Sequence, residues 1–261
     1  MGLGAGMGLV GTWMSPALVW LACTGLIGWS LVRRRRMFQW LREAEEGVAF
    51  MAAGEYDRAA AVFDPLCRRS RRTPTLHSLF VYNRSVLALE TGRLESAVEG
   101  LRAVVEAGWI RERGTLAIYY PALLGKLALG EALLGQLTAA ETWQRRAHRA
   151  CIPAKSGSLL LVDAVIAARR GNHDALLEHI QTEWTRAENM MTIQQLRTVR
   201  LLEAFALAQL QGGEYRRPSR DDELLRALAR AREAPVGSYD YLATAWPAMR
   251  EFLEHHGLAN A

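Results

Sequence analysis

The chain has 261 residues, 50% hydrophobic and 23% charged, enough for one folded body with a sizeable core. Its formal net charge of +5 is concentrated: residues 1–32 carry no charged side chain, Arg33, Arg34, Arg35 and Arg36 supply +4, and everything after them sums to +1. A body so near neutrality lacks the basic face that nucleic-acid binding needs. Three unspaced cysteines, Cys23, Cys67 and Cys151, read as reduced, buried thiols and not as a disulfide framework or a zinc site.

Residues 9–32 are free of charge and end at the four arginines. Ser15 can cap a helix that opens on Pro16, and nothing breaks that helix before Ala53, so it is predicted over 16–52. Its apolar part, residues 16–32, is about 26 Å long, at the short end of what crosses a hydrocarbon layer of about 30 Å. The positive charges follow the apolar run and no cleavage site follows them. The segment is therefore expected to be an uncleaved single-pass transmembrane anchor, not a secretory signal peptide. The excess of arginine at 33–36 then puts the rest of the chain on the cytoplasmic side of the inner membrane, with Trp29 at the interface. Gly2, Gly4, Gly6, Gly8 and Gly11 form a flexible lead-in or, less readily because they precede Pro16, a small-residue face that pairs two anchors.

Beyond the anchor the helix signals come in pairs. Residues 82–107 read as two short helices broken at Thr91-Gly92, with Gly92 free to take the left-handed conformation that ends a helix. Gly54-Glu55-Tyr56-Asp57-Arg58-Ala59 shares its pattern with Gly92-Arg93-Leu94-Glu95-Ser96-Ala97 and Gly135-Gln136-Leu137-Thr138-Ala139-Ala140. Weaker copies start at Gly171 and Gly213. The steps are 38, 43, 36 and 42 residues, the period of a helical solenoid, whose units are stable only when stacked. Helices are predicted over 16–52, 56–68, 76–90, 93–107, 116–134, 137–150, 158–170, 173–189, 192–211, 221–233 and 238–256, the last kinked or split by Pro247.

At these residues the chain resembles the tetratricopeptide repeat family. Gly47, Phe50, Gly54, Tyr56, Ala59 and Phe63 stand at that family's spacing in the first copy, and Tyr82, Asn83, Gly92, Leu94 and Ala97 in the second. The match is good over about 40–107, fair over 116–150 and poor from 158 on. The expected fold class is all-α: an N-terminal transmembrane helix followed by a right-handed solenoid of helical hairpins. Residues 1–36 form the anchor and arginine stop, 37–233 about five helix pairs, and 234–261 a C-terminal cap.

The resemblance implies a partner surface on the concave face: Val48 and Met51, then Tyr82, Val86 and Leu89, then Ala122, Gly125, Leu129 and Leu133. That stripe is apolar and small, which suits an amphipathic partner helix or peptide; the alternative is that it packs internally against neighbouring helices. Arg68, Arg69, Arg71 and Arg72, with Arg33, Arg34, Arg35 and Arg36, are expected at the membrane surface, either on anionic lipid headgroups or simply solvated. Arg145, Arg146 and Arg149 are expected to form a helix face paired locally with acids. The six histidines show no metal spacing, and no phosphate loop, nucleophile elbow or paired-carboxylate motif is present. The expectation is a non-enzymatic, cofactor-free scaffold that brings a protein partner to the cytoplasmic membrane face. Its alternative is a periplasmic assembly factor or chaperone of opposite topology.

Overall fold

The computed structural model describes residues 16–151, 157–189, 191, 193–211 and 219–260. Every regular element among them is helical. The order is α1 (Pro16–Ala52), α2 (Tyr56–Arg69), α3 (Pro74–Glu90), α4 (Leu94–Ala107), α5 (Tyr120–Leu133) and α6 (Leu137–Ala150). It continues with α7 (Gly157–Arg169), α8 (His173–Glu188), α9 (Ile193–Gln211), α10 (Ser219–Ala231), α11 (Asp240–Ala243) and α12 (Pro247–His255). Pro74 and Pro247 each sit in a first turn, where the missing N–H costs nothing. Pro247 thereby divides the last predicted helix into α11 and α12.

The helices pair about glycine. Gly54, Gly92, Gly135 and Gly171 all have φ between 73° and 81°. At each, the glycine N–H bonds the carbonyl three residues back and the next N–H the carbonyl five residues back. At Gly92 these are Leu89 at 3.2 Å and, from Arg93, Ala88 at 2.8 Å. This is the Schellman closure, which satisfies the last carbonyls of the first helix and aims the chain into the second. Five residues after each glycine, Ala59, Ala97, Ala140 and Leu176 are fully buried where the paired helices meet. The fifth copy, at Gly213, lies outside the described residues.

Each helix from α1 to α9 packs on its successor, as α11 does on α12, and α3, α5, α7 and α9 also touch in series, which makes the arrangement solenoid-like. α5 shows why: YPALLGKLALGEAL is apolar on every side, so it must be enclosed, and it lies against α3, α4, α6 and α7. α2, α4, α6 and α10 carry one apolar stripe and cover the stack from outside. The core has two lobes, one built on Phe63, Phe80 and Leu101 and one on Leu133, Val165, Phe205 and Leu253. Val105, Tyr120, Leu134 and Trp143 border both.

Among the described residues no helix is long and apolar enough to cross a membrane, which corrects the expected transmembrane anchor. α1 does not stop at the arginines. It carries Arg33, Arg34, Arg35 and Arg36 in mid-helix and runs on through Arg42, Glu43, Glu45 and Glu46 to Ala52. An apolar stretch shorter than the hydrocarbon layer is thus continuous with a strongly charged one. The single-pass inner-membrane placement with repeats facing the cytoplasm rested on that anchor and is corrected with it. The glycine-rich lead-in lies in residues 1–15, outside the described residues.

Candidate partner-binding cleft

The stripe expected on the concave face is mostly core. Tyr82 is 8% exposed, Val86 6%, Leu89 1%, Leu129 4% and Leu133 0%. α3 and α5 are clasped between neighbours, and Gln195 of α9 lies at the space between α5 and α7. What remains beside Ala122, Gly125, Leu129 and Gln195 is a gap of about 30 Å³, room for about one water. Of the expected partner residues only Val48, at 41%, is well exposed, and Met51 is half-buried. A partner helix therefore has no groove along this stripe, because the chain fills it.

The inner edge is polar where the sequence reading had it apolar. Lys126 of α5 donates to Glu90 Oε1 at the end of α3 at 3.0 Å, both side chains largely buried. Burial pulls the Lys126 pKa down, but the charge and hydrogen bond of Glu90, with Tyr82 and Tyr56 nearby, outweigh it and hold the ammonium above its usual value. Tyr82 in turn lies 6.3 Å, ring to ring, from half-exposed Tyr119. Lys126 is one of two lysines in an arginine-rich chain and interrupts an apolar helix. That was the available signal for this site.

The C-terminal segment folds back across the glycine-turn edge. Tyr241 of α11 donates to or accepts from Thr198 of α9 at 2.8 Å, Gln194 Nε2 donates to Ser238 O at 3.1 Å, and Tyr239 Oη donates to Ala231 O at 3.1 Å. Tyr241 lies beside the turn at Gly92, which brings α11 close to the end of α3, and both burial and the Glu90 charge raise its phenol. Arg169 fastens the next residues. Its guanidinium donates to Ala132 O at 3.1 Å, to Leu133 O, and to Ala245 O at 2.8 Å, and it stacks 4.7 Å over Trp246.

Between this fold-back and the first two turns lies a cleft of about 420 Å³. It is lined by Ala53, Gly54 and Tyr56 at the first turn, by Glu90 and Thr91 at the second, and by Gln194, Arg197, Ser238, Asp240 and Tyr241. Glu90 is committed to Lys126, and Asp240 accepts from Asn260 Nδ2 at 2.8 Å. Arg197 has no acidic side-chain partner among the described residues; its charge reaches Tyr239, whose phenol burial pushes up to about 12. Ile193 and Val236, each next in sequence to a lining residue, are 70% and 62% exposed.

The arginine clusters divide differently from expectation. Arg68, Arg69, Arg71 and Arg72 are exposed, but Arg69 is bound to Glu43 of α1 at 2.5 Å and the cluster closes a helix pair. Arg34, Arg35 and Arg36 are exposed along α1, and the side chain of Arg33 lies outside the described residues. Arg145, Arg146 and Arg149 do not pair with acids among the described residues. Arg146 donates to Tyr120 Oη at 3.2 Å, and Arg149 to the backbone of Arg145 at 3.3 Å.

Histidines that share no helix face meet through a carboxylate. Asp163 of α7 accepts from His148 of α6 at 3.0 Å and from Gln144 at 2.6 Å, and His179 of α8 lies 3.4 Å away. Burial alone would raise the Asp163 pKa; the bonds from His148, His179 and Gln144 together overcome it and bring the carboxyl down to about 2. Among the described residues no three His, Cys, Asp or Glu side chains form a group that could hold a metal ion. Compared with known proteins, the chain matches no family model, no curated protein and no solved structure.

Proposed function

We propose that the protein is a non-enzymatic interaction scaffold of stacked helix pairs, and that its partner docks at the cleft between the first two glycine turns and the C-terminal fold-back. The observation that carries this reading is the cleft itself. It is large enough for two or three peptide residues, is lined by a guanidinium without an acidic partner, Arg197, and has exposed apolar Ile193 and Val236 each next in sequence to a lining residue. The likeness of residues 40–107 to tetratricopeptide repeats supports a binding role, since such stacks serve as platforms for extended partners. That support is by analogy of fold. Asp163 of α7 is engaged by side chains from α6 and α8, an arrangement suited to fastening those three helices.

The test is affinity isolation of the full chain with its partner, followed by titration of that partner against Ile193→Asp/Val236→Asp. Both positions are exposed, so folding should be unaffected. Binding is expected to weaken by about tenfold or more, roughly 1.4 kcal/mol. Unchanged affinity, with Arg197→Ala also without effect, would contradict the assignment.

A further inference from the structure

The outer face of α6 is a charged surface that the cleft does not use. Several arginines elsewhere pair with acids: Arg58 with Glu55, Arg84 with Asp64, Arg102 with Glu131, Arg170 with Glu141 and Arg200 with Glu203. Arg145, Arg146 and Arg149 do not. Arg145 and Arg149 stand exposed one turn apart, bridged by the bond from Arg149 Nε to the backbone of Arg145. Arg146 lies 4.6 Å over the Trp143 ring. A shallow groove of about 650 Å³ runs along this face, lined by Thr142, Gln144, Arg145, Arg146, His148 and Arg149. Asp163 behind His148 balances that histidine, which leaves the three guanidiniums uncompensated. Their planar donor forks match carboxylates in geometry.

We propose that this face of α6 binds a short acidic segment of a partner protein, carrying at least two Asp or Glu carboxylates within about four residues. The scale of the groove sets that length. Residues 142–149 rise about 12 Å along the helix, the span of about four extended residues. A nucleic acid needs several phosphate contacts spread over a wider basic surface, and residues 37–261 sum to only +1. The site is separate from the cleft and does not depend on it.

The test is fluorescence anisotropy of a labelled octaglutamate peptide with the full chain at about 50 mM NaCl, where screening is weak. Saturable binding is expected, weakened about tenfold or more by Arg145→Glu/Arg149→Glu and about fivefold by Arg145→Gln/Arg149→Gln, which guards against misfolding from charge reversal. Arg250→Glu on α12 and Arg197→Glu in the cleft should change affinity by less than about twofold. The proposal is overturned by any of four results: no binding, equal losses in the Arg145/Arg149 and Arg250 variants, loss with Arg197→Glu alone, or much tighter binding of a thymidine octanucleotide than of the peptide.

Discussion

Glu131 makes the residue-scale case most sharply. It is fully buried in α5. Its Oε1 accepts two bonds from Arg102 of α4, at 3.0 and 2.6 Å, while Oε2 has no partner. A buried carboxylate tolerates this only while the guanidinium stays. Arg102→Ala is expected to cost about 2 kcal/mol, less than for a fully buried pair because Arg102 is half exposed. Adding Glu131→Gln should recover part of that loss in urea titrations, since the amide carries no charge to strand. Gly92 supplies a second comparison. Its φ of 73° disfavours any side chain, and a Cβ there would stand 3.0 Å from Thr244 Oγ1. At Gly54, with φ 77°, it would meet nothing within 4 Å. Gly54→Ala should therefore cost about 1–2 kcal/mol from backbone conformation alone. Gly92→Ala should cost more, and Thr244→Ala beside it should remove the excess. Equal losses at the two glycines would mean that the C-terminal segment does not rest on the second turn.

Between elements, the Asp163 cluster ties α6, α7 and α8 together and makes their union depend on pH. Hydrogen bonds to Asp163 raise the pKa of His148 and His179 above their ordinary value of 6.5, against the opposing effect of burial. Their contribution is complete below about pH 6.5 and fades as the pH rises through the raised folded values. Asp163, held down to about 2 from 3.8, contributes above the ordinary carboxyl value and loses that contribution as the pH falls from there towards 2. Burial depresses His173 and His256, which therefore act in the other direction below pH 6.5. The cluster is accordingly read as a difference. The stability gap between the protein and Asp163→Asn should be widest near pH 5 and narrow by pH 8.5, and a gap that widens with pH would contradict the arrangement. Arg169 does comparable work for the C-terminal segment, with three carbonyls and the Trp246 ring on one guanidinium. Arg169→Met should cost about 2–3 kcal/mol and speed amide exchange over residues 239–258 more than over α3 or α5.

At the scale of the molecule, what the sequence disclosed and what it hid divide by distance along the chain. The glycine turns and the helix limits were legible, because a left-handed glycine, a proline in a first turn and a repeating apolar stripe are local signals. The fate of the inner stripe was not. Leu89 and Leu133 look the same in sequence whether they face a partner or face neighbouring helices, and only the closeness of the stack decides it. The fold-back was hidden for the same reason, since Arg169 reaches Ala245 across 76 positions and Thr198 reaches Tyr241 across 43. The anchor failed differently: the single helix over 16–52 was legible, but its apolar part is at the short end of what crosses a hydrocarbon layer and the rest of it is charged. The cleft exists because of the fold-back, so the partner should meet residues from opposite ends of the chain. The most direct measurement places a photo-crosslinking residue at Val236, at Val48 on the stripe expected from sequence, or at exposed Leu225 as a control, and compares adduct yields with the partner. The expected result is one strong adduct from position 236 and little from 48 or 225. A dominant adduct from position 48, or equal yields from all three, would contradict a binding site at the cleft.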